Sequence, residues 1–212
     1  MHYHRSIGST VSIIDYSMAN LRSVQKAFEH NGAGACIIST PEEVRRADRI
    51  VLPGVGAIGD ALKTLRGRGL DDAICEHIAS GRPFLGICLG LQMLFDVGYE
   101  DGEHIGLGIC RGKCVRLEVD VTHALKVPHM GWNQLRIKSE SPLLRGIDDG
   151  CHVYFVHGYH VVPDDDVIIA TTTDYGVSII SSIWKDNVMA TQFHPEKSQV
   201  VGLKMLDNFA RF

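Results

Sequence analysis

The pattern of apolar and polar positions changes character about halfway along the chain. In the first half, short uninterrupted apolar runs alternate with segments whose apolar residues recur every three or four positions. The runs Thr10–Asp15, Ala35–Ser39, Arg49–Leu52 and Phe84–Ile87 have the length and continuity of strands buried on both faces. Between the first two, Leu21, Val24, Ala27 and Phe28 share one face of a helix over Leu21–Asn31, with Asn20 placed to cap it. Thr40, Pro41 and Glu43 open a second helix, and helical segments follow through Ser80. Pro53-Gly54-Val55-Gly56 is expected to stop the third strand, and Gly81-Arg82-Pro83 to introduce the fourth. Such alternation implies an α/β architecture, a mostly parallel central sheet with helices on both faces.

The second half has a different texture. Turn residues and short strand-like pieces fill Gly98 to Gly150, and Val153–Val156, Val167–Thr173, Val177–Ile183 and Val188–Phe193 then read as strands. Leu203, Leu206 and Phe209 lie on one face of a closing helix over Val200–Phe212. With no repeat, linker or low-complexity tract, residues 11–212 are expected to form one domain and residues 1–10 a flexible N-terminal extension.

Composition narrows the field. The chain has 212 residues, 45% of them hydrophobic and 22% charged, with 21 basic and 25 acidic residues for a net charge of −4. That balance, with no basic cluster, argues against a nucleic-acid partner. No apolar run approaches the roughly 20 residues of a membrane helix, and no secretory leader heads the chain, so a cytoplasmic location is expected. The six cysteines are too scattered, in too long a chain, for a disulfide-stapled domain. Cys110 and Cys114 are the one close pair, and no second pair follows to complete a zinc site, so neither metal nor cofactor is expected. Gly54-Val55-Gly56-Ala57-Ile58-Gly59 fits G-x-G-x-x-G, but no acidic residue closing a later strand supports a dinucleotide site.

Three local patterns carry chemistry. Gly86-Ile87-Cys88-Leu89-Gly90 follows an apolar strand and precedes a helix-like stretch, Leu89–Phe95. This is the cysteine form of the strand–turn–helix nucleophile elbow. Its glycines permit a tight turn, and the helix start, with the Leu89 amide, faces an anion formed at the sulfur or at an attacked carbonyl. A buried structural cysteine would fit the pentapeptide as well. Phe193-His194-Pro195-Glu196, at the end of another strand, supplies a base and the carboxylate that orients it. Leu52-Pro53-Gly54-Val55-Gly56 is a glycine loop able to turn backbone N–H groups toward an oxyanion, or simply a strand-to-helix turn.

In order and spacing these three patterns resemble class I glutamine amidotransferases. Further segments are similar to those members that serve as the glutaminase subunit of imidazole glycerol phosphate synthase, in histidine biosynthesis. These segments are Ile14-Asp15-Tyr16 with Asn20-Leu21-Arg22-Ser23, Val127-Pro128-His129-Met130-Gly131-Trp132-Asn133, and Tyr154-Phe155-Val156-His157-Gly158-Tyr159. The ending Gln192-Phe193-His194-Pro195-Glu196-Lys197-Ser198 is similar too, so the resemblance runs from about Val11 to Phe212.

The resemblance implies a flavodoxin-like sheet and a division of labour between two subunits. Cys88 would attack the side-chain amide of glutamine, His194 would move the proton and Glu196 would hold the imidazole. Gly54, Val55, Gly56 and Leu89 would serve the oxyanion hole, whose loop must turn to complete it, and Gln92, His157, Gly158 and Tyr159 would form the glutamine pocket. His129, Met130, Trp132, Asn133, Tyr154 and Lys197 would lie at the interface with a (β/α)8 cyclase, forming a heterodimer through which ammonia passes. The bare reading of His129–Asn133 is a tight turn with a buried tryptophan. Ser17 and Ala19 stand where the family usually has glycine, and Gly158 where it usually has serine or threonine. Three other readings compete: an amidotransferase feeding a different synthase, such as one amidinating a surface sugar, a non-catalytic scaffold, and a free-standing cysteine hydrolase. All three triad members are present, against the scaffold. Gln92, one helical turn beyond Cys88, favours glutamine over a general hydrolase substrate.

Overall fold

A computed structural model describes residues 10–119 and 125–212. Of the expected extension over residues 1–10, residues 1–9 lie outside this set. The first half alternates as its pattern implies: β1 (Val11–Ile14), α1 (Leu21–His30), β2 (Ala35–Ile38), α2 (Pro41–Arg46), β3 (Arg49–Gly54), α3 (Ile58–Gly67), α4 (Leu70–Ala79), β4 (Phe84–Cys88) and α5 (Leu89–Gln92). Then come β5 (Phe95–Gly98), β6 (His104–Ile105), β7 (Cys110–Arg116), β8 (His129–Gln134), β9 (Arg136–Ile137), β10 (His152–His157) and β11 (Tyr159–Pro163). The chain closes with β12 (Ile169–Asp174), β13 (Ser178–Lys185), β14 (Val188–Thr191) and α6 (Gln199–Ala210).

Eight strands form the main sheet in the order β2-β1-β3-β4-β14-β13-β12-β9. The neighbours from β2 to β14 pair in parallel, and those from β14 to β9 antiparallel. Because side chains alternate along a strand, one run feeds two cores. Ile14, Ile50, Leu52 and Phe84 pack under α3 and α4 with Leu62, Leu65, Leu70 and Ile74. Val11, Ile13, Val51, Leu85 and Ile87 face the other way, against Val24 and Phe28 of α1 and Met205 and Phe209 of α6. The expected α/β sandwich with helices on both faces is therefore observed. A four-stranded sheet, β11-β7-β5-β6, and the β10-β8 pair complete the fold.

Local expectations were met unevenly. Thr40 caps α2 through a reciprocal box with Glu43, whereas Asn20 occupies the cap of α1 without a side-chain bond. The third strand does not stop at Pro53. Its ladder with β1 ends at Val51 while that with β4 continues to Gly54, so the proline falls where β1 no longer pairs. The helix expected over Leu89–Phe95 is a single turn, because Phe95 begins β5. The segment His129–Asn133 is not a tight turn around a buried tryptophan. It is strand, and Trp132 is exposed. Strands β5 and β11 have no counterpart in the sequence pattern, and β6, β7 and β9 fall among the short strand-like pieces expected over Gly98–Gly150. Ser17 adopts a left-handed φ of 73°, so the residue at the family's usual glycine carries strain, with its N–H anchored to Asp15 Oδ1 at 2.8 Å.

Two glycines seat the turn after β4. A Cβ on Gly90 would collide with the backbone carbonyl of Leu52 in β3, and one on Gly86 would meet the Gly90 carbonyl oxygen at 2.8 Å. Gly67, at the end of α3, has nothing within 4 Å. Gly90→Ala is expected to destabilise the fold by about 3 kcal/mol through overpacking against backbone. Gly67→Ala should instead be neutral or stabilising by up to ~1 kcal/mol. Urea denaturation of the two variants checks the contrast.

Candidate active site

The sheet brings the chemistry together at the carboxyl ends of three adjacent parallel strands, where open α/β sheets keep their ligand crevice. Gly54 is level with Cys88, and Ile87 with Thr191 of β14. His194 lies just beyond that strand end. Cys88 takes a φ of 55°, the left-handed turn that lifts the sulfur off the sheet. The residue is only 6% exposed. The Val156 carbonyl lies 3.9 Å from the sulfur and the Gln192 Nε2 3.7 Å.

His194 and Glu196 form a buried pair, Nδ1 to Oε1 at 2.7 Å, with side chains 3% and 2% exposed. Pro195 opens a short 3-10 turn between them, which places both side chains on one side of the chain. Burial works against a charged imidazole here. The neighbouring Cys88 sulfur and the Glu196 carboxylate outweigh it, and the pKa of His194 rises to about 9. Nε2 has no hydrogen-bond partner among the described residues. Base and sulfur are thus electrostatically coupled without a formed hydrogen bond, a looseness common before substrate binds.

In front of the sulfur lies a cleft of about 260 Å³, lined by Val55, Gly56, Cys88, Leu89, Gln92, Glu100, Pro128, Val156, His157, Gly158, Tyr159 and His194. It is smaller than the usual drug-sized pocket and suits an amino acid. Gly54 does not line it. That glycine lies behind the wall, where a Cβ would strike the Tyr16 hydroxyl and meet Leu89. The Val55 N–H is engaged with the Met18 carbonyl at 2.9 Å. Gln92 donates to the Tyr159 carbonyl at 3.1 Å and to Gln192 Oε1 at 3.2 Å, so its amide braces the cleft wall. An added Cβ on Gly158 would meet only Val127, at 3.7 Å, and the site has room for the family's usual side chain.

The interface candidates divide by strand parity. Met130 and Trp132 are 62% and 46% exposed on the outer face of β8. Trp132 meets Tyr154 edge-on at 6.0 Å, and the Lys197 ammonium lies 5.9 Å from the Tyr154 ring. His129, 2% exposed, and Asn133 turn to the inner face, because a strand sends alternate side chains to opposite sides.

Glu100 in the cleft and Gln192 behind its wall have no role assigned by sequence pattern. Gln192 bridges Gln92 and Cys88, and was hidden in the run before His194. Glu100 accepts the Ile58 N–H at 2.7 Å and lines the cleft, but it sits among Asp101 and Glu103 with no local pattern to choose between them. Cys110 and Cys114 are buried on β7, where burial raises the thiol pKa of Cys110 to about 11. Among the described residues no helix is long and apolar enough to cross a membrane.

Comparison with known proteins identifies the family. Residues 12–211 match the family model described as glutamine amidotransferase class-I. An imidazole glycerol phosphate synthase subunit HisH from Syntrophotalea carbinolica is 54% identical over 202 residues, covering 94% of this chain and 98% of that protein. The subunit of the same name from Aquifex aeolicus is 54% identical over 200 residues, covering 94% and 95%. Among solved structures, PurLQS from Thermotoga maritima superposes with a TM-score of 0.75 at 19% identity, over 95% of this chain and 97% of that one. At that identity the likeness concerns the fold alone.

The raised His194 pKa has a measurable consequence. A base whose folded pKa exceeds its unfolded value of roughly 6.5 stabilises the fold fully below that pH. The contribution is lost as pH rises through the folded pKa, here about 9. An NMR titration of His194 should therefore show a midpoint near 9, and Glu196→Gln should move it downward. A midpoint unchanged by Glu196→Gln would contradict the assigned cause.

Proposed function

The chain belongs to the class I glutamine amidotransferases, and on that premise we propose that Cys88, His194 and Glu196 release ammonia from glutamine for a separate cyclase subunit. One observation carries the reading: the buried His194–Glu196 pair beside a strained cysteine, at the mouth of an amino-acid-sized cleft. In this scheme the thiol proton of Cys88 passes to His194, the sulfur bonds to the side-chain carbonyl carbon of glutamine, and the carbonyl oxygen becomes an oxyanion. The Leu89 N–H at the elbow faces that oxyanion. As the C–N bond breaks, the proton held by His194 passes to the leaving nitrogen, giving ammonia and a thioester. His194 then takes a proton from water, whose oxygen attacks the thioester and frees glutamate. Glu196 holds the ring through Nδ1 and balances its charge. Glu100, a carboxylate lining the cleft outside the triad, suits the α-ammonium of glutamine.

A second oxyanion donor would come from Val55. In the present conformation its N–H is taken by the Met18 carbonyl, so the loop over Gly54–Gly56 must turn before that donor is free. We place the partner on the face carrying Met130, Trp132, Tyr154 and Lys197, where exposed aromatic and aliphatic groups cluster with a cation. The partner in this reading is a (β/α)8 cyclase of histidine biosynthesis, joined in a heterodimer in the cytoplasm. The relatives, alike over nearly their whole length, support this assignment over delivery of ammonia to a sugar-modifying synthase. Residues 11–212 then constitute the glutaminase domain.

The test separates ammonia production from ammonia use. Cys88→Ala in the assembled complex should lower glutamine-dependent product formation by about 10⁴-fold or more, the scale expected when a nucleophile is removed. Product formation from added ammonia should persist. Loss of both activities in a folded complex would contradict the division of labour.

A further inference from the structure

The inner face of β8 holds a hydrogen-bonded series whose donors and acceptors can be assigned at each step. Tyr159 offers a carbonyl, so His157 Nδ1, 2.9 Å away, must donate to it. The neutral His157 ring then accepts at Nε2, from His129 Nδ1 at 3.0 Å. His129 in turn accepts at Nε2 from Asn133 Nδ2 at 3.3 Å. The orientation of the Asn133 amide is fixed independently, since its Oδ1 accepts the Gln134 N–H at 2.8 Å and Nδ2 also donates to the Asp174 carbonyl at 2.9 Å. Both rings must be neutral for this series, and burial pushes them that way, His129 to about 4 and His157 to about 3.

The far end of the series meets the nucleophile. The Tyr159 carbonyl that receives His157 also receives Gln92, which bonds Gln192, whose amide lies against the Cys88 sulfur. His129 is stacked between Phe155 and Tyr175, with ring centroids at 4.5 and 4.0 Å. Packing alone would be served by phenylalanine. The imidazole is explained by its two nitrogens, each engaged and each with one possible role.

We infer that His129 is a positioning residue for glutamine turnover: from the strand whose outer face carries Met130 and Trp132, it fixes the His157 tautomer and, through the Tyr159 carbonyl and Gln92, the wall of the glutamine cleft. The inference rests on the glutaminase reading. It gives the strand under the proposed partner surface a direct hydrogen-bonded route to the cleft. Without the His129 donor, His157 can move its proton to Nε2 and release Tyr159, and the cleft wall loses its set position.

The test uses the complex with its cyclase partner. His129→Phe keeps the stacking and deletes the bonds, and it should raise the KM for glutamine about tenfold while changing kcat less. Ammonia-dependent turnover should not change. His129→Asn, whose amide can donate in place of Nδ1, should return KM to within about threefold of the starting value. In the unmutated complex, nitrogen NMR of labelled histidines should find His157 protonated at Nδ1 and bare at Nε2, a reading that needs no variant to fold. An Nε2-protonated His157, or an unchanged KM in His129→Phe, would overturn the inference. An unmutated complex that releases no glutamate from glutamine would overturn the glutaminase reading instead, and the NMR result would still decide the hydrogen-bonded series.

Discussion

The left-handed turn at Cys88 is the constraint on which the active edge depends. A φ of 55° costs a non-glycine residue on the order of 1–2 kcal/mol, and such strain persists only where the surroundings enforce it. They do so by close approach of backbone to backbone. Gly90 sits against the Leu52 carbonyl and Gly86 against Gly90, so the turn is wedged between β3 and its own strand. Once Cys88 is seated there, the parallel registers set the rest. β3 delivers the Gly54–Gly56 loop on one side, and β14 delivers His194 and Glu196 on the other. Strain, sheet order and catalytic geometry are one arrangement.

That dependence explains how much the sequence revealed. The central parallel strands are covered on both faces and read as unbroken apolar runs, so their existence was legible from local pattern, while their order in the sheet depends on pairings between distant segments. That Cys88, His194 and Glu196 come together was legible for a related reason: the elbow and the His194–Glu196 pair are each compact motifs, carrying their geometry within a few residues. The bounds of β7 were not legible, because the residues on its buried face, Cys110, Gly112 and Cys114, are too small and weakly apolar to stand out against Arg111 and Lys113. Strand β8 mixes glycine, histidine and asparagine, and its ladder is with β10, far away in the chain. Glu100 and Gln192 owe their roles to residues far away in the chain, through contacts that no local spacing encodes.

The cleft as it stands is assembled but restrained. His194 is held by Glu196, and Gln92 and Gln192 tie the cleft wall to the elbow. The Val55 amide is spent on Met18, in the same loop where Ser17 holds a strained φ of 73°. In the proposed mechanism a single peptide therefore separates the nucleophile and base from a complete oxyanion site. Such an arrangement suits an enzyme whose product is wasted unless a partner is ready to receive it. In the proposed reading β8 links the partner surface to the cleft, since Met130 and Trp132 lie on its outer face and His129 on its inner face.

The most direct measurement is the rate of glutamate release from glutamine by this chain alone, with its cyclase partner, and with the partner plus the ribulosyl-bearing aminoimidazole carboxamide nucleotide. A slow rate is expected for the chain alone and a rise of at least about a hundredfold in the full mixture, since one missing oxyanion donor is worth roughly 10²–10³ in rate. Hydrolysis by the chain alone at the speed of the full mixture would contradict it, because the Val55 amide could not then be the withheld element.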